Sequence, residues 1–147
     1  FTTNEEKPRP MKYVLFTILC FGVTPVLDKW SAVQSDPAVG VFIRTLCIAV
    51  VSVLILTVTG KWGLVTQVAP KTILFLGTSG ILAGCLGVLA MLKAFREVPD
   101  AGKVAVMIAT YPVVSLFFTA LLLHEKLTVA KIAGTVLITA GAILLNL

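Results

Sequence analysis

Charge is scarce in this chain. Asp, Glu, Lys and Arg make up 13% of its 147 residues and 58% are hydrophobic. A soluble domain is about a quarter charged and near half apolar. A chain of this length cannot hide so much apolar surface from water, which excludes a soluble domain and points to an integral membrane protein. Histidine is nearly absent: His124 stands alone, in a turn. The apolar segments hold no Ser-His-carboxylate set and no metal-ligand spacing, so neither an enzyme nor a cofactor is expected. Cysteine is limited to Cys20, Cys47 and Cys85, all within apolar runs. Their spacing matches neither a metal site nor a disulfide framework, and they read as small packing residues. No acidic residue falls at mid-membrane, which argues against a central carboxylate proton site.

What is present is long apolar runs. A helix needs about 20 residues to cross about 30 Å of hydrocarbon. The runs predict five transmembrane helices, over 13–33, 37–59, 72–98, 101–123 and 128–147. Together they form an all-α bundle, a single transmembrane domain spanning 11–147 with no soluble domain. Residues 1–10, FTTNEEKPRP, are polar and patternless, and read as a flexible tail or a remnant of expression. No cleavable signal peptide is expected, because Tyr13–Leu27 is followed by Asp-Lys-Trp and not by small residues. Asp36 is the expected N-cap of the second helix with Pro37 in its first turn, and Thr128 the expected cap of the last. The net charge of +5 would elsewhere suggest nucleic acid. Here the basic residues flank apolar runs, as they do in oriented membrane proteins, and no nucleic-acid partner is expected.

Charges inside the runs carry the functional signal, because they are costly in lipid. The run Tyr13–Leu27 covers only about 22 Å at the helical rise, so the first helix must continue through Asp28, Lys29 and Trp30. With the amino terminus inside, Asp28, Arg44 and Lys93 all lie about 8–10 Å below the outer ends of their helices. Asp28 and Arg44 are expected within ion-pair reach, facing the interior. Two readings stay open for the group. Lys29, Arg44 and Lys93 attract an anion or the carboxylate or phosphate of a zwitterion; or the lysines snorkel to the interface and Asp28 only pairs with Arg44. Thr17, Phe21, Thr24 and Asp28 share one helix face. Pro25 frees the carbonyl of Phe21, which is tolerated facing protein or a watered cavity. Pro112 repeats the arrangement near Thr110, Tyr111 and Ser115. The candidate substrate-binding residues are thus Thr24, Asp28, Lys29, Arg44, Lys93 and Tyr111. Glu125 is read as pairing with a nearby lysine or closing a turn. For helix packing the candidates are Gly80 and Gly84 in the third helix and Gly134 and Gly141 in the last, small residues that let helix backbones touch.

At this point the chain resembles the drug/metabolite transporter superfamily, specifically an EamA-like domain, over Met11–Leu147. FGVTPVLDKW is similar to that family's first-helix pattern of an aromatic-Gly stretch, small or polar residues, then Lys. VFIRTL resembles its second-helix Arg. The stretch from LKAFREVPDAGK to TAGAILL resembles its best-marked part, through the turn to the glycine-bearing last helix. His124-Glu125-Lys126 stands where Gly-Glu-Arg is usual, and Cys20-Phe21-Gly22 where Phe-Trp-Gly is usual. The resemblance implies half of a ten-helix transporter built from two inverted five-helix halves, so another half must be supplied.

The reading is a transporter of a small anionic or zwitterionic organic solute, in the lipid bilayer of a bacterial-type inner membrane. The alternatives are a non-transporting membrane subunit of a larger complex, or a flippase of a lipid-linked substrate. Orientation follows the Lys and Arg of short loops. Lys12, Lys61, Lys71, Lys126 and Lys131 fall on one side, and Lys29, Arg44, Lys93, Arg96 and Lys103 on the other. This even balance allows both insertions and hence an antiparallel homodimer. A tail carrying Lys7 and Arg9 tips the count toward an inside amino terminus. A parallel homodimer and a heterodimer with a second half-size chain are the rivals.

Overall fold

The computed structural model describes residues 11–145. The expected tail, 1–10, and the last two residues lie outside that range. The described residues are all helical or connecting, with no strand. Helix α1 is Met11–Gln34, α2 Pro37–Thr59, α3 the short Trp62–Val65, and α4 Pro70–Ser79. A π-helical segment, Gly80–Gly87, continues α4 into α5, Val88–Glu97. Then follow α6 Ala101–Ile108, α7 Pro112–Leu122 and α8 Val129–Leu144.

Among the described residues, four stretches are long and apolar enough to cross a membrane: Met11–Gln34, Pro37–Thr59, Pro70–Glu97 and Ala101–Leu122. Helix α8 is apolar but shorter, 16 residues, or about 24 Å at the helical rise. Four spans plus one shorter apolar helix therefore stand where five full spans were expected.

The chain ends its helices by simple chemistry. The Asp36 carboxylate accepts from the Ala38 N–H at 2.8 Å and Pro37 opens α2, where a missing N–H costs nothing. Gly60 closes α2 at φ 64°, a left-handed conformation that glycine adopts freely. Asp100 caps α6 through the Gly102 and Lys103 N–H groups, and Thr128 caps α8 through that of Lys131.

The two internal prolines behave differently. Helix α1 runs unbroken through Pro25. The fourth span parts into α6 and α7 over 109–111. Pro112 has no N–H to give Ile108, so the chain tightens there: Thr110 N–H bonds Met107 O at 3.2 Å and Tyr111 N–H bonds Ile108 O at 3.0 Å.

The packed core lies at one end of the spans. Ala32, Val41, Leu92, Phe95 and Val104 are buried together, with Val88, Leu89, Met91 and Ala94 against them. Helix α5 is the centrepiece, touching both α1 and α2. Its apolar positions 88, 91, 92 and 95 follow helical spacing, and its charges at 93, 96 and 97 fall elsewhere. Toward the opposite end the helices separate: among the described residues, α4 contacts little beyond its own π-helical continuation, and α7 packs chiefly on α8.

The glycines that mark close contact, within the bundle or between two copies, make none within the chain. A Cβ added at Gly80, Gly84, Gly134 or Gly141 would meet nothing within 4 Å. These faces are bare within the chain. The close approach is at Gly40, where a Cβ would stand 3.1 Å from Leu92 Cδ1.

Candidate functional site

Asp28 projects from α1 where α2 and α5 close around it, and only 7% of it is exposed. Its Oδ1 accepts from Arg44 Nη1 of α2 at 2.8 Å. The two sit 16 residues apart in sequence and are joined by the short α1–α2 connection, whose Asp36 cap fixes the start of α2 and hence the reach of Arg44. Its Oδ2 is buried and has no hydrogen-bond partner among the described residues. The Arg44 side chain is 35% exposed.

Two hollows flank this pair. One, of about 490 Å³, is walled by Phe21, Thr24 and Pro25 of α1, Met91 and Phe95 of α5, and Ala105, Ala109 and Tyr111 of the broken fourth span. The other, of about 390 Å³, lies among Leu27, Ser31, Ser35, Gly40 and Ile43. Thr24, Asp28 and Arg44 line both, so the ion pair stands in the wall they share. The polar atoms here are few, and some are already engaged. Thr24 Oγ1 donates to Cys20 O at 2.9 Å, and Ser31 Oγ to the Asp28 backbone carbonyl at 3.0 Å.

Of the six candidate binding residues, the structure brings Thr24, Asp28, Arg44 and Tyr111 to one cavity. It leaves two out. Lys29 Nζ donates to Phe95 O at 2.5 Å and Val98 O at 2.6 Å, the last carbonyls of α5. A cation at a helix C-terminus satisfies carbonyls that have no intrahelical partner and offsets the helix dipole. Lys93 is exposed and lines neither hollow. The charges bordering the cavity are therefore one negative and one positive, and not the three-to-one excess of the linear count. Thr17, expected on the same face, is exposed and outside both hollows. Glu125 bonds Lys131 at 3.0 Å on the exposed surface, one of the two readings open for it.

Sequence reasoning passed over the cavity's apolar wall. The signal was present in the helical spacing of Val88, Met91 and Phe95, which also face the cavity. It passed over Ser31, Ser35 and Gly40 too, and single small residues on an apolar helix carry no such signal.

The comparisons with known proteins agree in kind. The model of the EamA-like transporter family matches residues 9–147. A protein of Sinorhizobium sp described as "Uncharacterized transporter in cobO 3'region" is 32% identical over 133 residues, covering 90% of this chain and 93% of that protein. No solved structure matches.

Proposed function

Because the chain belongs to the EamA-like transporter family, we propose that it carries a small zwitterionic or anionic organic solute across a bacterial-type inner membrane, as a dimer of five-helix halves. It is an integral, multi-pass membrane protein of a transporter family. The observation that carries the finer reading is the shared wall. A solute moving between the two hollows meets a carboxylate and a guanidinium together. A zwitterion can engage both at once. A simple anion can reach the remaining N–H groups of Arg44 but is repelled by the Asp28 carboxylate beside them, so the balanced pair favours the zwitterion of the two.

The dimer is supported by what the single chain leaves undone. Gly80, Gly84, Gly134 and Gly141 present open backbone, and the helices part at one end. In lipid, close helix contact at small residues is what drives association. The Sinorhizobium relative, aligned over 93% of its length, is about this size as well.

The test is reconstitution. Purified protein alone in liposomes loaded with a mixed metabolite extract should release small zwitterions and anions, read by mass spectrometry of the external medium. Release of lipophilic cations only would refute the solute class. Release only after a co-purifying companion chain is added would refute the homodimer and favour a subunit of a larger assembly.

A further inference from the structure

The Asp28 carboxylate is half used. Arg44 takes Oδ1, while Oδ2 is buried with no donor among the described residues. The donors nearest along α1 are committed elsewhere: the Thr24 hydroxyl to Cys20 O, Ser31 to a backbone carbonyl, Lys29 to the end of α5. A buried acceptor without a donor is costly, more so when it carries charge. It is therefore where an incoming N–H group gains most.

We infer that Asp28 Oδ2 is the subsite for the protonated primary amine of the solute, whose apolar substituent lies along Met91, Phe95 and Tyr111. This deepens, and rests on, the zwitterion reading above. Arg44, which lines the same cavity, has N–H donors beyond the one spent on Asp28, and the solute's carboxylate is assigned to these. The last torsion of an Asp side chain is soft, so a small rotation turns the bare oxygen toward the cavity that Asp28 lines. A divalent metal would want several oxygen or nitrogen ligands, and no group of three His, Cys, Asp or Glu stands together among the described residues. A quaternary ammonium carries charge but no N–H, and leaves the acceptor unsatisfied.

The test uses the full chain in lipid nanodiscs and isothermal titration with three sets of probes: L-phenylalanine, L-methionine and L-norleucine, the des-amino acid of each, and the N-trimethyl betaine of each. At least one amino acid should bind about tenfold to a hundredfold tighter than both its partners, the worth of a charge-assisted hydrogen bond. In Asp28→Asn, which puts a donor where Oδ2 was, that advantage should vanish. Des-amino acids binding as tightly as the amino acids would overturn the subsite and leave anion transport standing. A preference that persists in Asp28→Asn would place the amine elsewhere and overturn it too. Silence across all three sets would overturn both the subsite and the zwitterion reading. If Asp28→Asn does not fold, Asp28→Glu, which moves the carboxylate by one methylene, takes its place, and an unchanged preference there would overturn the subsite.

Discussion

Cutting the Asp28–Arg44 pair from either side should not cost the same. Arg44→Gln leaves a carboxylate that is only 7% exposed with no countercharge. Stripping one partner from a buried pair costs about 3–5 kcal/mol, most of it the penalty of the orphaned charge. Asp28→Asn leaves instead a guanidinium on a long stem, 35% exposed. Such a group swings toward the interface and rehydrates. The loss should then fall to about 1.5 kcal/mol, the low end for a hydrogen bond to a charged group. The double variant leaves no charge buried and loses only the bond, so it should be more stable than Arg44→Gln alone, by about 1.5–3.5 kcal/mol on the same figures. Unfolding in SDS, followed by tryptophan fluorescence and far-UV circular dichroism, reads all four proteins. Two results would refute the reasoning: Asp28→Asn costing as much as Arg44→Gln, or the single losses adding in the double variant to within about 0.5 kcal/mol, as for independent sites.

Other outcomes follow from the same geometry. Lys29→Met keeps the apolar stem but drops two bonds to the end of α5. It should cost about 1–3 kcal/mol and speed hydrogen exchange at the Val98 amide; unchanged exchange there would mean that the cap is idle. His124 sits at φ 51°, so His124→Gly should raise stability by about 0.5–1 kcal/mol, the relief of left-handed strain less the extra freedom of glycine when unfolded. An unchanged or lower SDS midpoint counts against that. Gly84→Leu and Gly141→Leu have open space inside the chain; helicity should hold while cross-linking between copies in membranes is lost, and cross-linking at the original level would clear these faces of any role in assembly.

Local chemistry made much of this molecule readable in one dimension. Asp36 and Thr128 announced their caps by residue type and position, and equal depth with opposite sign paired Asp28 with Arg44 across a short connection. What stayed hidden was what needs distance in sequence. Lys29 meets Phe95 and Val98 across 66 and 69 residues, and nothing along α1 separates a lysine that caps a remote helix from one that binds a solute. Glycine spacing marked where backbones could touch, yet contact in the chain fell on Gly40, because Leu92 happens to stand opposite it. Pro25 and Pro112 looked alike in sequence. The helix held at one and broke at the other, and Thr110 and Tyr111 closed the break. The π-helical stretch had no signature beyond its glycines, since one apolar helix winding differs little from another in composition.

That stretch, Gly80–Gly87, sets the phase of the third span. A wide turn holds one residue more than an α-turn, and each residue advances a helix by about 100°. Everything after it is rotated by that angle relative to everything before. The winding is crowded at its close: a Cβ on Gly87 would lie 3.1 Å from Leu82 O. Were the turn to tighten to α, Leu92 and Phe95 would swing out of the core and the charged face of Lys93 and Arg96 would swing toward it. The bare face of α4 and the packed face of α5 thus lie on one continuous helix but belong to two registers, so α4 can offer itself to the bilayer or to a second copy without disturbing the wall behind Asp28.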